Sequence, residues 1–245
     1  MKRPIVILLM ILVAGAVMSA AADRPRDPRP RDPFVFRCVL DGNPRMVVIA
    51  LHEELWLAYD AASCGLHQVW RDGVNFDGAV YTTVHGPQPT SRGEPDFTGP
   101  ERAVWRLVVD GEVTDVAPFW RGYSLRGPSV TLNFKLPLPG GGAVRIEETP
   151  MMDAFGSTPD RPARVDRQFT VRGLPDGVRA QLVIARDRPD RLDRFTLRGK
   201  HTAELKREAV AGADAAQGPE QERLILTLTD DGPAVLSMDL DIAAE

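Results

Sequence analysis

Period-two alternation constrains this chain more than any other feature. Val130, Leu132, Phe134 and Leu136 alternate with Thr131, Asn133 and Lys135. Val178, Ala180, Leu182 and Ile184 alternate with Arg179 and Gln181, and Leu224, Leu226 and Leu228 repeat the pattern. Leu236, Met238, Leu240 and Ile242 stand opposite Ser237, Asp239 and Asp241. Successive side chains on a strand point to opposite faces, so such runs predict strands with one buried and one solvated face, hence antiparallel sheets. Val104 to Val109 ends at Asp110-Gly111, and Glu112 opens the return segment. Asp-Gly between two such runs is a strong hairpin signal, because both central residues of a type I′ turn need φ > 0. The chain holds 21 Gly and 21 Pro, a density suited to many short segments. About a dozen strand-like segments predict an all-β fold, a large antiparallel β-sandwich or a supersandwich-like variant of it, with few or no helices after the amino-terminal leader.

Two stretches depart from strict alternation. Met46 to Leu51 and Leu55 to Tyr59 are continuously apolar and read as central strands covered on both faces. Thr202 to Ala215 has helix-favouring composition but is too polar for a core helix, so Lys200 to Glu222 reads as a long mobile loop. Gly140-Gly141-Gly142 lacks the Lys-Ser/Thr of a phosphate loop and reads as a hairpin tip.

At the amino terminus, Lys2 and Arg3 precede an apolar run from Ile5 to Val17 and then the small residues Ser19 to Ala22. That order predicts a secretory signal peptide over residues 1–22, cleaved after Ala22. The apolar run is shorter than the ~20 residues of a spanning helix. The expected product is secreted or periplasmic, with no stable membrane insertion after cleavage. The leader carries two of the 30 basic residues and none of the 34 acidic ones, so cleavage takes the net charge from -4 to -6. An acidic balance argues against nucleic acid as a partner. Asp23 to Pro33, DRPRDPRPRDP, alternates Pro with charge and reads as an extended, solvated linker. Residues 34–245 form the expected all-β domain, with a candidate seam near residues 150–165, where Pro150, Pro159 and Pro162 fall.

Two cysteines, Cys38 and Cys64, suit a disulfide in an oxidising compartment. Closing that loop of about 27 residues would contribute roughly 3–4 kcal/mol. The competing reading is a pair of buried thiols. Their spacing fits no zinc site, and without Cys-x-x-Cys-His there is no covalent haem attachment; no cofactor and no metal site is expected.

The least ordinary stretch is Trp70 to Pro89, WRDGVNFDGAVYTTVHGPQP. Gly73, Gly78 and Gly86 bracket Asn75, Asp77 and His85 inside a strand-like segment, and glycine there marks a bulge or close backbone approach. One reading is a pocket rim: Asn75 and Asp77 supply hydrogen-bonding groups, Trp70 and Tyr81 apolar walls, and His85 a general base. The other is a turn-rich connection, since Asn and Asp side chains bond nearby backbone unaided. Of the four tryptophans, Trp105 shares a face with Leu107 and Val109, whereas Trp70 and Trp120, each followed by Arg, suit a stacking rim for sugar rings. The histidines, His52, His67, His85 and His201, show no metal-ligand spacing. Glu147 and Glu148, being adjacent, would face opposite sides of a strand, so a hydrolase pair would need distant partners such as Asp77 with Glu148.

Pro33 to Arg37, Asn43 to Met46, Leu55 to Asp60 and Gly73 to Pro89, continued by Trp120 to Tyr123 and Arg145 to Pro150, together resemble a β-rich accessory domain. That domain occurs in large secreted haem-binding c-type cytochrome proteins of planctomycetes and related bacteria, ahead of cytochrome c or sugar-processing modules. The resemblance spans roughly residues 33–172. It implies an exported all-β accessory domain and names no catalytic residue. With no haem-attachment motif here, electron transfer does not carry over. Three functions are therefore in view. The first is an exported non-catalytic module binding carbohydrate or an envelope protein through Trp70–His85. The second is an epimerase- or lyase-type sugar enzyme using His85 with a carboxylate. The third is an envelope scaffold, which predicts an exposed apolar patch or a long unpaired edge.

Overall fold

Short hairpin turns set the order of the fold. In the computed structural model, which describes residues 32–76, 86–100, 105–153, 163–198, 202–210 and 221–240, β1 (Phe34–Leu40) turns at Asp41-Gly42 into β2 (Asn43–His52). Asp41 and Gly42 have φ of 50° and 79°, the left-handed pair that a two-residue hairpin requires. β3 (Leu55–Asp60), β4 (Gly65–Trp70), β5 (Val74–Asn75), β6 (Thr90–Ser91) and β7 (Pro95–Thr98) complete the first third of the chain. β8 (Trp105–Val109) and β9 (Glu112–Val116) close around Asp110-Gly111, with φ of 52° and 86°, as the sequence predicts. β10 (Phe119–Arg126), β11 (Ser129–Pro137), β12 (Ala143–Asp153) and β13 (Arg164–Arg172) form a meander, with Gly140 to Gly142 at the tip between β11 and β12. Then come β14 (Val178–Asp187), a one-turn helix α1 (Pro189–Leu192), β15 (Phe195–Arg198), β16 (Ala203–Ala209), β17 (Glu222–Leu228) and β18 (Gly232–Asp239).

These strands build three principal sheets, ordered β1-β2-β3-β4-β7, β10-β11-β12-β13-β18-β15 and β16-β17-β14-β8-β9, plus the small ribbon β5-β6. Every pairing between them is antiparallel. The fold is all-β and sandwich-like. One core serves all three sheets. Val47, Leu57 and Leu66 reach it from the first, Phe134, Ile146 and Phe169 from the second, and Leu107, Leu182 and Leu226 from the third. Ring contacts and indole bonds tie the layers. Trp105 lies 5.2 Å from Phe134 across the second and third sheets, and its Nε1 donates to the Cys64 carbonyl in the first. Phe97 meets Phe195 edge-on at 5.8 Å.

The first sheet buries its other face too. Met46, Val48, Ala50, Trp56, Ala58 and Trp70 form a second cluster, over which Val74 and Phe76 fold back. This explains the continuous apolar runs of β2 and β3, each buried on both faces, as the sequence implied. One expectation is corrected. Residues 203–209, within the expected mobile loop, form edge strand β16. Ala203 and Leu205 face the core while Glu204 and Lys206 face out, and charge along an edge is how sheets resist further pairing. The candidate seam is flanked by β12 and β13, whose register runs continuously from Arg145↔Arg172 to Asp153↔Arg164. All described residues belong to one unit, Arg31–Glu245.

Candidate functional site

Of the residues marked by sequence, Trp70, Asn75 and Trp120 are described, and these three do not gather into a rim. Trp70 is fully buried in the outer cluster of the first sheet, stacked on Trp56 with ring centroids 6.3 Å apart. Its Nε1 donates to the Gly73 carbonyl at 2.7 Å. Gly73 holds φ +87°, and a Cβ there would stand 3.6 Å from the Trp56 ring, so this glycine serves the packing of the cover. Trp70 is thus a core residue and not an apolar pocket wall, because the chain after β4 folds back over the face on which it projects. Asn75 is half-buried in β5, opposite Thr90. Trp120, half-buried on β10, packs against the main core and not the outer cluster that holds Trp70. Asp77, Tyr81 and His85 lie outside the described residues.

The cysteine bridge is likewise absent: both thiols are free. Cys38 packs against the outer cluster and Cys64 sits in the main core, so the first sheet lies between them. Burial, aided by nearby Asp41, pushes the Cys38 thiol up to about 11, and burial with Asp60 and Glu148 nearby raises Cys64 to about 12.

One polar cluster was legible only in part. Glu147 and Glu148 do face opposite sides of β12, but Glu148 points inward, in a row with Val144 and Ile146, and is fully buried. Arg167, 2% exposed, occupies the inward row of β13 and donates Nε to Glu148 Oε1 at 2.6 Å and Nη2 to Oε2 at 3.2 Å. The Tyr59 hydroxyl, from the first sheet, donates to the same Oε1 at 2.7 Å. Burial and then the Glu148 charge push the Tyr59 phenol well above its ordinary value. Burial alone would lower Arg167, but the Glu148 carboxylate more than offsets it. The Arg167 guanidinium also lies 5.1 Å from the Phe169 ring centroid. A group this enclosed meets no ligand; it pins the first sheet to the second.

The accessible chemistry lies where β2 begins, β3 ends and β4 starts. A hollow of about 130 Å³ is lined by Asn43, Arg45, Asp60, Ser63 and His67, with Pro100 at its border. Local backbone irregularity builds it. Arg45 takes φ 61°, held as its carbonyl accepts from Ala61 N at 3.1 Å, and Cys64 takes φ 50° in the β3–β4 turn. Neither is glycine, and each such conformation costs of order 1 kcal/mol, the kind of strain that accumulates at functional sites. His67 is the extra residue of a bulge, since Ala58 pairs with Gln68 and Tyr59 with Leu66. Bulges re-aim a side chain, and the bulge presents His67 to the hollow. The Asp60 carboxylate accepts from Ala62 N at 2.7 Å and Ser63 N at 3.2 Å, which fixes its orientation. Burial pushes the His67 imidazole below its usual value, while the Asp60 and Asp41 carboxylates pull the other way. Near neutral pH His67 is therefore an uncharged donor–acceptor. Arg45, Asn43 and Ser63 add donors, Asp60 adds acceptors, and the charges of Arg45 and Asp60 cancel.

The hollow holds about four waters at ~30 Å³ each, well below the volume that encloses a drug-sized ligand. No periodicity marked Arg45, Asp60 or His67; the only sequence cue was that Asn43–Met46 and Leu55–Asp60 fall inside the segments carrying the resemblance. No protein-family model and no curated protein matches the chain. Among the described residues, no three His, Cys, Asp or Glu side chains gather as metal ligands, and no helix is long and apolar enough to cross a membrane.

Proposed function

We propose that this chain is an exported, non-catalytic β-sandwich module that binds the hydroxyl-bearing end of a carbohydrate in the hollow between β2, β3 and β4. The carrying observation is the charge-balanced set Arg45, Asp60, His67, Asn43 and Ser63, presented by two strained non-glycine residues and a bulge. Sugar hydroxyls donate and accept together, and a wall alternating donors with acceptors at zero net charge matches them better than it matches a phosphate or an ammonium group. The leader-like residues 1–22 support export.

Calorimetric titration of the full chain against mono- and oligosaccharides tests the reading, with Arg45→Gly as the control variant. The wild type should give saturable heats. Arg45→Gly should lose at least tenfold in affinity while its urea midpoint holds or rises, because glycine relieves the left-handed backbone. No saccharide binding by the wild type, or equal binding by the variant, refutes the proposal.

A second reading has its own observation. His67, kept neutral by burial, shares the hollow with the Asp60 carboxylate, the histidine–carboxylate pairing that an epimerase or lyase needs. Here His67 takes the place first considered for His85. Turnover of a bound sugar that disappears in His67→Gln while binding persists would decide for the enzyme.

A further inference from the structure

We infer that two copies of this chain pair edge to edge through β9 and β10, the β9 of each copy extending the sheet that ends in the other copy's β10. These strands terminate two different sheets of the described residues, and only Ala117 and Pro118 separate them in sequence, so both edges, unpaired among the described residues, lie at one border of the sandwich. The exposed large hydrophobic residues of the described chain are Val113 (54%), Phe119 (59%), Tyr123 (37%) and Leu125 (41%), and all four lie on these two strands. A row of unpaired backbone groups bordered by exposed aromatic and aliphatic side chains is a template for strand addition. The opposite edge differs, since β16 carries Glu204, Lys206, Arg207 and Glu208 and no large exposed hydrophobic residue.

Charge selects a second copy as the occupant. β9 carries Glu112 and Asp115 and no base, whereas β10 carries Arg121 and Arg126 and no acid. Neither arginine has a carboxylate partner among the described residues, while Asp115, already 3.2 Å from Arg106, keeps a side chain 75% exposed. A two-fold axis through Pro118 lays the segment antiparallel to itself. It sets Asp115 opposite the partner subunit's Arg121, and by symmetry the partner subunit's Asp115 opposite Arg121. Opposed pairs of this kind are within reach across antiparallel strands. Such an interface is isologous, so it closes at two copies. Pro118, which offers no backbone donor, sits at the crossing point, and the bulge at Arg121 limits how far pairing can run. This inference is independent of what the hollow binds.

Sedimentation velocity of the full chain from 1 to 100 µM tests it, beside Phe119→Glu, Arg121→Glu and Pro118→Cys. The wild type should move from monomer to a species of twice the mass as concentration rises. Phe119→Glu and Arg121→Glu, both exposed and checked for fold by circular dichroism, should raise the dissociation constant at least tenfold. Pro118→Cys should form a covalent dimer on mild oxidation, since a residue on the axis meets its own copy and the two native thiols are buried or half-buried. A wild type monomeric throughout the range, or a dimer indifferent to both glutamate variants and not cross-linked by Pro118→Cys, overturns the inference.

Discussion

Removing the Arg167 guanidinium should be among the most damaging single changes in the protein. In Arg167→Met the carbon stem stays and still packs near Phe169, but Glu148 loses bonds of 2.6 and 3.2 Å while remaining fully buried. The only bond then left to it in this cluster is the Tyr59 hydroxyl at 2.7 Å. Breaking one side of a buried pair costs about 3–5 kcal/mol, because the remaining charge has neither water nor counter-ion. With a urea slope of about 2 kcal/mol/M, the midpoint should fall by roughly 2 M. The pair need not be a net source of stability. Replacing the whole cluster by apolar residues, in Tyr59→Phe with Glu148→Leu and Arg167→Met, should recover most of the loss, since no polar group is then stranded. Urea unfolding followed by tryptophan fluorescence measures both variants. A cost below about 1 kcal/mol for Arg167→Met, or a triple variant no better than it, would refute the account of Glu148 as an ion held by Arg167.

The same cluster sets a pH limit with a definite sign. The Tyr59 phenol is raised well above 10 in the folded state by burial and then by Glu148. Below the unfolded value near 10 both states keep the proton, and the contribution is intact. Above it the unfolded chain releases a proton that the folded one retains, so stability falls as pH rises toward the folded value. Tyr59→Phe should remove this part of the alkaline decline.

Two further outcomes follow from packing. At Gly99 an added Cβ would meet the Leu66 carbonyl oxygen at 2.2 Å, a backbone atom that cannot swing away, and Gly99 N donates to the His67 carbonyl at 2.7 Å. Gly99→Ala should therefore cost at least the 1–3 kcal/mol typical of overpacking, read as a lower thermal midpoint; an unchanged midpoint would contradict the contact. Native thiol labelling at pH 8 should be far slower than in denaturant, with half-buried Cys38 ahead of buried Cys64, because raised values near 11 and 12 leave little thiolate. Intact mass after mild oxidation should show no two-proton loss.

Alternation revealed which residues share a face but not whether that face is wet. Val130 to Leu136 became β11 with its apolar row buried, and Asp110-Gly111 became a hairpin, because both signals are local. Trp70 departs from the expected rim for a non-local reason: whether its row meets solvent depends on the chain after β4, which folds back to place Val74 and Phe76 over it. Strand β16 was missed because Glu204, Lys206 and Glu208 reflect its edge position, which is a property of the assembled sheet. The bridge between Cys38 and Cys64 failed on the side of the sheet each faces, a fact fixed by register and invisible in spacing. Arg45, Asp60 and His67 left no periodic mark because they stand where the regular backbone breaks.

That break is where the buried cluster and the hollow connect. Tyr59, the last inward residue of β3, is tied to Glu148 at 2.7 Å; the next residue is Asp60, whose carboxylate lines the hollow and orders the Ala62 and Ser63 amides. A core needs no ion pair at that depth, and apolar side chains would fill the space at no lower stability. What the ion pair adds is direction, since a phenol bonded to a fixed carboxylate on the second sheet tolerates little displacement along or across β3. The end of β3 is thereby held against a neighbouring sheet just where Arg45, Cys64 and His67 depart from regular geometry. A binding group must be held within about 0.5 Å to be effective, and residues deeper in the fold supply that precision. Tyr59, Glu148 and Arg167 thus fix the end of β3, and Asp60, the next residue, is held in place by the same contacts that carry the polar cost inside the sandwich.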